Sequence, residues 1–206
     1  MIESSLLRWI LSALFFATTL WCARVLVLPS VRLTFRVDAM WHALMGAAMV
    51  AMIWPWGMTL PTTPQVVVFV AACGWFFART VFRPGDHSMP RLAEAHHATM
   101  MAGMAWMVAT MPSLMDSPAP GPGGGHHHAL ASGTSTTALT DELAAPVALT
   151  AGHLALGLVF VILSLPWLAR ALDLGRGSPG LRPAAVDHAS HAAMSFGMGV
   201  MFLATG

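Results

Sequence analysis

Of the chain's 206 residues, 56% are apolar and only 9% are charged, with a mean hydropathy of +0.67; an average soluble domain carries about 25% charged residues. A free-standing soluble protein is excluded. The ten basic residues are all arginines, balanced by nine acids to a formal +1, so no basic surface large enough to hold nucleic acid by its phosphates can form.

A membrane-crossing helix needs roughly 20 mostly apolar residues. In chain order such runs fall at residues 6 to 27, 38 to 56, 64 to 83, 94 to 112, 146 to 169 and 187 to 204. The first is longer than a secretory leader's apolar region and no clear small-residue cleavage site follows it, so it is expected to stay in the mature chain. Cys22 and Cys73 lie inside apolar runs and make neither a disulfide framework nor a zinc motif of the usual spacing.

The arginines set the orientation. Arg24, Arg32 and Arg36 follow the first run, Arg79, Arg83 and Arg91 follow the third, and Arg170, Arg176 and Arg182 follow the fifth. Only Arg8 lies on the other side. By the positive-inside rule both termini face outward, away from the cytoplasm. Residues 113 to 145, rich in Pro, Gly, Ser and Thr and containing His126, His127 and His128, are expected to form a disordered extracytoplasmic loop. The three histidines are either a capture point for metal or low-complexity drift.

An internal repeat carries most of the information. The second run reads His42-Ala-Leu-Met45-Gly-Ala-Ala-Met49-Val-Ala-Met52, the fourth His97-Ala-Thr-Met100-Met-Ala-Gly-Met104-Ala-Trp-Met107, and the sixth His191-Ala-Ala-Met194-Ser-Phe-Gly-Met198-Gly-Val-Met201. All fit H-A-x-M-x-x-x-M-x-x-M. The odd runs end in Trp21-Cys-Ala-Arg24, Phe76-Phe-Ala-Arg79 and Trp167-Leu-Ala-Arg170, with 18, 18 and 21 residues from each arginine to the next motif histidine. The expected fold is all-α: a single membrane domain of six transmembrane helices in three tandem hairpins, over 6–56, 64–112 and 146–204, as a pseudo-threefold bundle.

Steps of 3, 4 and 3 put one histidine and three methionines on a single stripe of each even helix. Flanking Gly and Ala let such stripes meet other helices instead of lipid. Around a common axis they would stack as a His42/His97/His191 layer and Met45/Met100/Met194, Met49/Met104/Met198 and Met52/Met107/Met201 layers, about 15 Å from first to last. Thioether sulfur suits Cu(I), and stacked neutral triads would offer exchangeable sites to a monovalent ion. The histidines, expected in the first turn of their helices, would hold the ion at the cytoplasmic end as neutral ligands.

The competing reading is structural, since methionine is an adaptable core filler and duplication copies a packing stripe as readily as a metal path. Against it, none of the nine positions carries Leu or Ile, although such swaps cost little. The chain is then either a binder or conductor of Cu(I), a non-catalytic accessory subunit of a membrane complex, or a b-type haem protein using two of the three histidines. No nucleotide-binding motif and no nucleophile beside the ring suggests an enzyme. Asp38, Glu94 and Asp187 are expected to cap the even helices, or to pair with Arg24, Arg79 and Arg170. His153 is expected to be a satisfied interior residue, His96 to meet a neighbouring helix or water, and His188 has no counterpart in the other two units.

The segment His96 to Met107 resembles the His-His-Ala-x-Met-x-x-Ala-Met-x-Trp-Met stretch of an uncharacterised family of actinobacterial integral-membrane proteins, a domain of unknown function. That resemblance would cover most of the chain and implies a bacterial plasma membrane with no established activity. In layout, Met45/Met49, Met100/Met104 and Met194/Met198 are also similar to the M-x-x-x-M triads of eukaryotic copper transporters, a geometric analogy only.

Overall fold

The computed structural model describes residues 5–28, 32–82, 88–116, 136–176 and 182–205. They form α1 (Ser5–Val27), α2 (Leu33–Ile53), a short 3-10 turn (Pro55–Thr59), α3 (Thr62–Phe82), α4 (Ser88–Asp116), α5 (Thr136–Arg176) and α6 (Pro183–Thr205), with no strand among the described residues. Trp54 ends α2 at φ −102°, ψ 146°, because the ring of Pro55 disfavours helical backbone in the residue before it. α1, α3 and the 147–176 part of α5 are each long and apolar enough to cross a membrane.

The element order matches the six apolar runs, but the even helices start earlier than expected. His42 and His97 are the tenth residues of α2 and α4, and His191 is the ninth of α6. The first-turn placement is therefore corrected, and with it the dipole argument, which applies only within the terminal turn. Asp38, Glu94 and Asp187 likewise lie inside their helices and do not cap them; Arg32 occupies the cap position of α2 and makes no side-chain cap bond. Helices α4 and α5 also run into the segment expected to be disordered, as far as Asp116 and from Thr136. The remainder, with His126, His127 and His128, lies outside the described residues.

Successive helices pack as antiparallel pairs: α1 on α2, α3 on α4 and α5 on α6, with α1 also on α6 and α4 on α5. In the first pair the Trp54 indole donates to Ser12 Oγ at 3.1 Å, while Cys22 and His42 line one cavity towards the other end. In the third, a Cβ on Gly199 would lie 2.8 Å from the Gly157 carbonyl oxygen and 2.7 Å from Val161 Cγ2. Only glycine lets α5 and α6 approach so closely.

One core runs through the pairs. It holds Phe15, Phe69, Phe76, Phe160 and Phe202 together with most of the stripe methionines. The large exposed apolar side chains lie mainly on α1, α3 and α5.

Candidate metal centre

Although α2, α4 and α6 are separated in sequence by α3 and α5, they deliver His42, His97 and His191 to one point. Ring centroids are 4.4 Å apart for His42 and His97, 4.6 Å for His97 and His191, and 5.2 Å for His42 and His191. One nitrogen from each ring lies within 4.8 Å of the others.

Their hydrogen bonding leaves nitrogen available. His42 Nδ1 is 2.7 Å from the Asp38 carbonyl oxygen. A carbonyl only accepts, so Nδ1 carries the proton and Nε2 presents its lone pair. A backbone carbonyl fixing the far nitrogen is also the usual support of a metal-ligating histidine. His42 Nε2, His97 Nε2 and His191 Nδ1 are all buried with no hydrogen-bond partner, a costly arrangement for polar atoms unless a ligand completes it. Three imidazoles sharing an ion at 2.0–2.1 Å need nitrogens about 3.5 Å apart. From the 4.8 Å bound this is a closure of at most about 1.3 Å.

Aromatic residues wall the cluster. Phe76 on α3 stands 5.5 Å from His42 and 5.2 Å from His97; Trp167 on α5 stands 5.4 Å from His191 and 6.4 Å from His97. They and Trp21 are the aromatic members of the three odd-helix end motifs, three residues before Arg79, Arg170 and Arg24. The motifs are visible in the sequence, but their spacing gives the rings no place.

On one side the histidines open into a cavity of about 440 Å³, whose lining includes Asp38, Glu94, Asp187 and Arg79. Arg79 bridges two helices, pairing with Asp38 on α2 and with Glu94 on α4 at 2.6 Å. The Trp75 indole also donates to Asp38, at 3.0 Å. Arg24 and Arg170 lie over Trp21 and Trp167, at 5.0 and 6.0 Å from the ring centroids. The expectation that these arginines meet acids thus holds at Arg79, which takes acids from two different helices.

The methionines lie on the core side. Met45, Met49, Met100, Met104, Met194 and Met198 have no exposed surface, Met107 and Met201 have 1% and 2%, and Met52 is half-buried. Met198 reaches across to α4, where its Cε lies 3.0 Å from the position of a Cβ on Gly103. Met101, off the stripe, is equally buried. Burial alone therefore does not single out the nine.

The other histidines divide. His153, fully buried, is satisfied as expected: Nδ1 bonds the Leu149 carbonyl at 2.9 Å and Nε2 meets Thr110 Oγ1 at 3.2 Å. His96 meets a neighbouring helix, its ring 5.2 Å from Trp167 on α5. His188 stacks on the same Trp167 at 5.4 Å.

The chain matches the family described as Domain of unknown function (DUF5134) over residues 34–205, and it belongs to that family. Uncharacterised proteins of Mycobacterium bovis and Mycobacterium tuberculosis are 35% identical to it over 111 residues, covering 54% of this chain and 52% of theirs. The match thus spans about half the length of these curated relatives. No solved structure matches the chain.

Proposed function

We propose that this is a six-span protein of the bacterial plasma membrane, with both termini outside, that binds Cu(I) at the His42/His97/His191 ring and passes it along the Met45/Met100/Met194, Met49/Met104/Met198 and Met52/Met107/Met201 layers. The carrying observation is the convergence of three histidines from equivalent positions of three helices, with a buried, unpartnered nitrogen on each. Imidazole accepts several borderline ions, Zn, Cu, Fe and Ni among them. What tips the choice to Cu(I) is the run of uncharged thioethers that follows each ring histidine along its own helix, which harder ions do not favour.

Packing between the pairs supports a pseudo-threefold arrangement of three hairpins. A Cβ on Gly197 would sit 2.4 Å from Phe15 Cζ, and one on Gly103 would sit 2.6 Å from Phe160 Cζ. The first pair therefore packs on the third, and the third on the second, through the same combination of phenylalanine and glycine. Gly103 and Gly197 are each six residues beyond the ring histidine of their helix. Phe69, 2% exposed, is the member that the second pair would contribute.

Ring spacing weighs against haem. Two axial imidazoles on opposite faces of an iron, each nitrogen about 2 Å away, need centroids roughly 6 Å apart with a macrocycle between them. These rings are at 4.4 to 5.2 Å, and the third occupies the space the macrocycle needs.

The test is metal analysis of the full chain purified anaerobically with Cu(I), followed by Cu(I) flux into proteoliposomes. The expected result is one tightly held ion per chain, its affinity reduced at least 100-fold in the His42→Ala, His97→Ala, His191→Ala triple variant. Met49→Leu, Met104→Leu and Met198→Leu together should keep the fold, because the volumes are conserved, and abolish flux. Flux unchanged in that triple variant would show the methionines to be packing alone.

A further inference from the structure

The three acids beside the ring are equivalent in sequence and unequal in structure. Asp38 and Asp187 precede their histidines by four residues and Glu94 precedes His97 by three, and all line the same cavity. Arg79 ties up Asp38 and Glu94, whose side chains are 18% and 8% exposed. The Asp187 side chain is 60% exposed; it accepts a bond from the Trp21 indole, and its Oδ2 lies 3.9 Å from His191 Nε2.

From this asymmetry we infer that Asp187 is the hand-off residue through which a metal cation exchanges between the cavity mouth and the His42/His97/His191 ring, while Arg79 keeps the other two carboxylates out of coordination. The inference rests on the copper-binding reading of the ring. It has support beyond the acids themselves: His42 is 3% exposed, lines this cavity and carries a buried, unpartnered Nε2.

The chemistry is ligand exchange. A cation leaving water needs a partial replacement for its hydration shell before the imidazoles can take it, and an exposed carboxylate supplies one. Its negative charge also concentrates cations at the mouth. One carboxylate outside the Arg79 bridge gives a shallow well from which a monovalent ion can leave. Three free carboxylates would trap hard divalent ions ahead of the softer ring, and Arg79 removes that outcome by occupying two of them. Asp187 is then a positioning residue for transfer, outside the final ligand set.

Stopped-flow loading of the purified full chain with Ag(I), a redox-stable stand-in for Cu(I), tests this alongside equilibrium stoichiometry. Asp187→Asn should slow loading about tenfold and leave stoichiometry unchanged, while Asp187→Glu should load close to the wild-type rate. Wild-type loading in Asp187→Asn, with normal wild-type binding, would overturn the hand-off and leave the copper reading standing. Loss of stoichiometry in Asp187→Asn would make Asp187 a ligand and likewise overturn the hand-off. A wild-type chain that binds no ion would overturn both.

Discussion

Helices α1, α3 and α5 contain the most apolar segments of the chain, and those segments bury only 28%, 17% and 22% of their residues within it. Helices α2, α4 and α6 carry the ring histidines, most of the glycines at close contacts and the stripe methionines, and they turn these inward. A water-soluble bundle would do the reverse, placing its most apolar faces at the centre. The difference teaches that hydropathy in this chain marks the surface, on helices long and apolar enough to cross a membrane. Side-chain chemistry marks the core.

The comparison predicts that the outer helices matter to stability only through the few residues they send inward. Phe160 of α5 is one: fully buried, stacked on Phe202 at 5.7 Å and seated against Gly103. Phe160→Ala should cost about 3–5 kcal/mol, the range for deleting a packed aromatic, read as a large fall in the thermal midpoint of the detergent-solubilised chain. A small fall would mean that the outer and inner helices are not packed as one body.

Arg79 of α3 is the second such residue. Arg79→Gln removes the cation shared by Asp38 and Glu94, and with it a bridge joining α2, α3 and α4. The bridge is more buried than a surface pair and less than a core one, so the expected loss is about 2–3 kcal/mol. Arg79→Lys should recover only part of it, since a single ammonium does not span two carboxylates as a guanidinium does. Full recovery by lysine would show that charge, and not the fork, is what joins the helices.

Much of this was legible in the sequence, for identifiable reasons. Apolar runs near 20 residues gave six helices in the right order, and the recurrence of H-A-x-M located the three ring histidines before any contact was known. What escaped has physical causes too. The even helices start at Leu33, Ser88 and Pro183, ahead of the acids, because their first turns are polar enough to fall outside a hydropathy window yet still helical. That Arg79 takes acids from two helices was unreadable, since Arg24, Arg79 and Arg170 stand at the same place in their motifs and only packing sets what surrounds each. The phenylalanines were missed although a signal existed: Phe15, Phe69 and Phe160 precede those arginines by nine, ten and ten residues.

The smallest expected effect is the most discriminating. Leu158 is two residues before Phe160 on the same helix, and it is 58% exposed where Phe160 is fully buried. In water, trimming an exposed leucine leaves the transfer energy of its side chain largely out of play; in a bilayer the reason is stronger, because lipid tails fill whatever volume is removed and are as apolar as leucine. Leu158→Ala should therefore change stability by no more than about 0.5 kcal/mol, with no cavity formed and no helix displaced. Measured beside Phe160→Ala under identical conditions, it isolates facing direction from helix identity, since both residues belong to α5. Equal destabilisation by the two would mean that Leu158 is buried against protein in the membrane, and that the outer surface assigned to α5 is an interface.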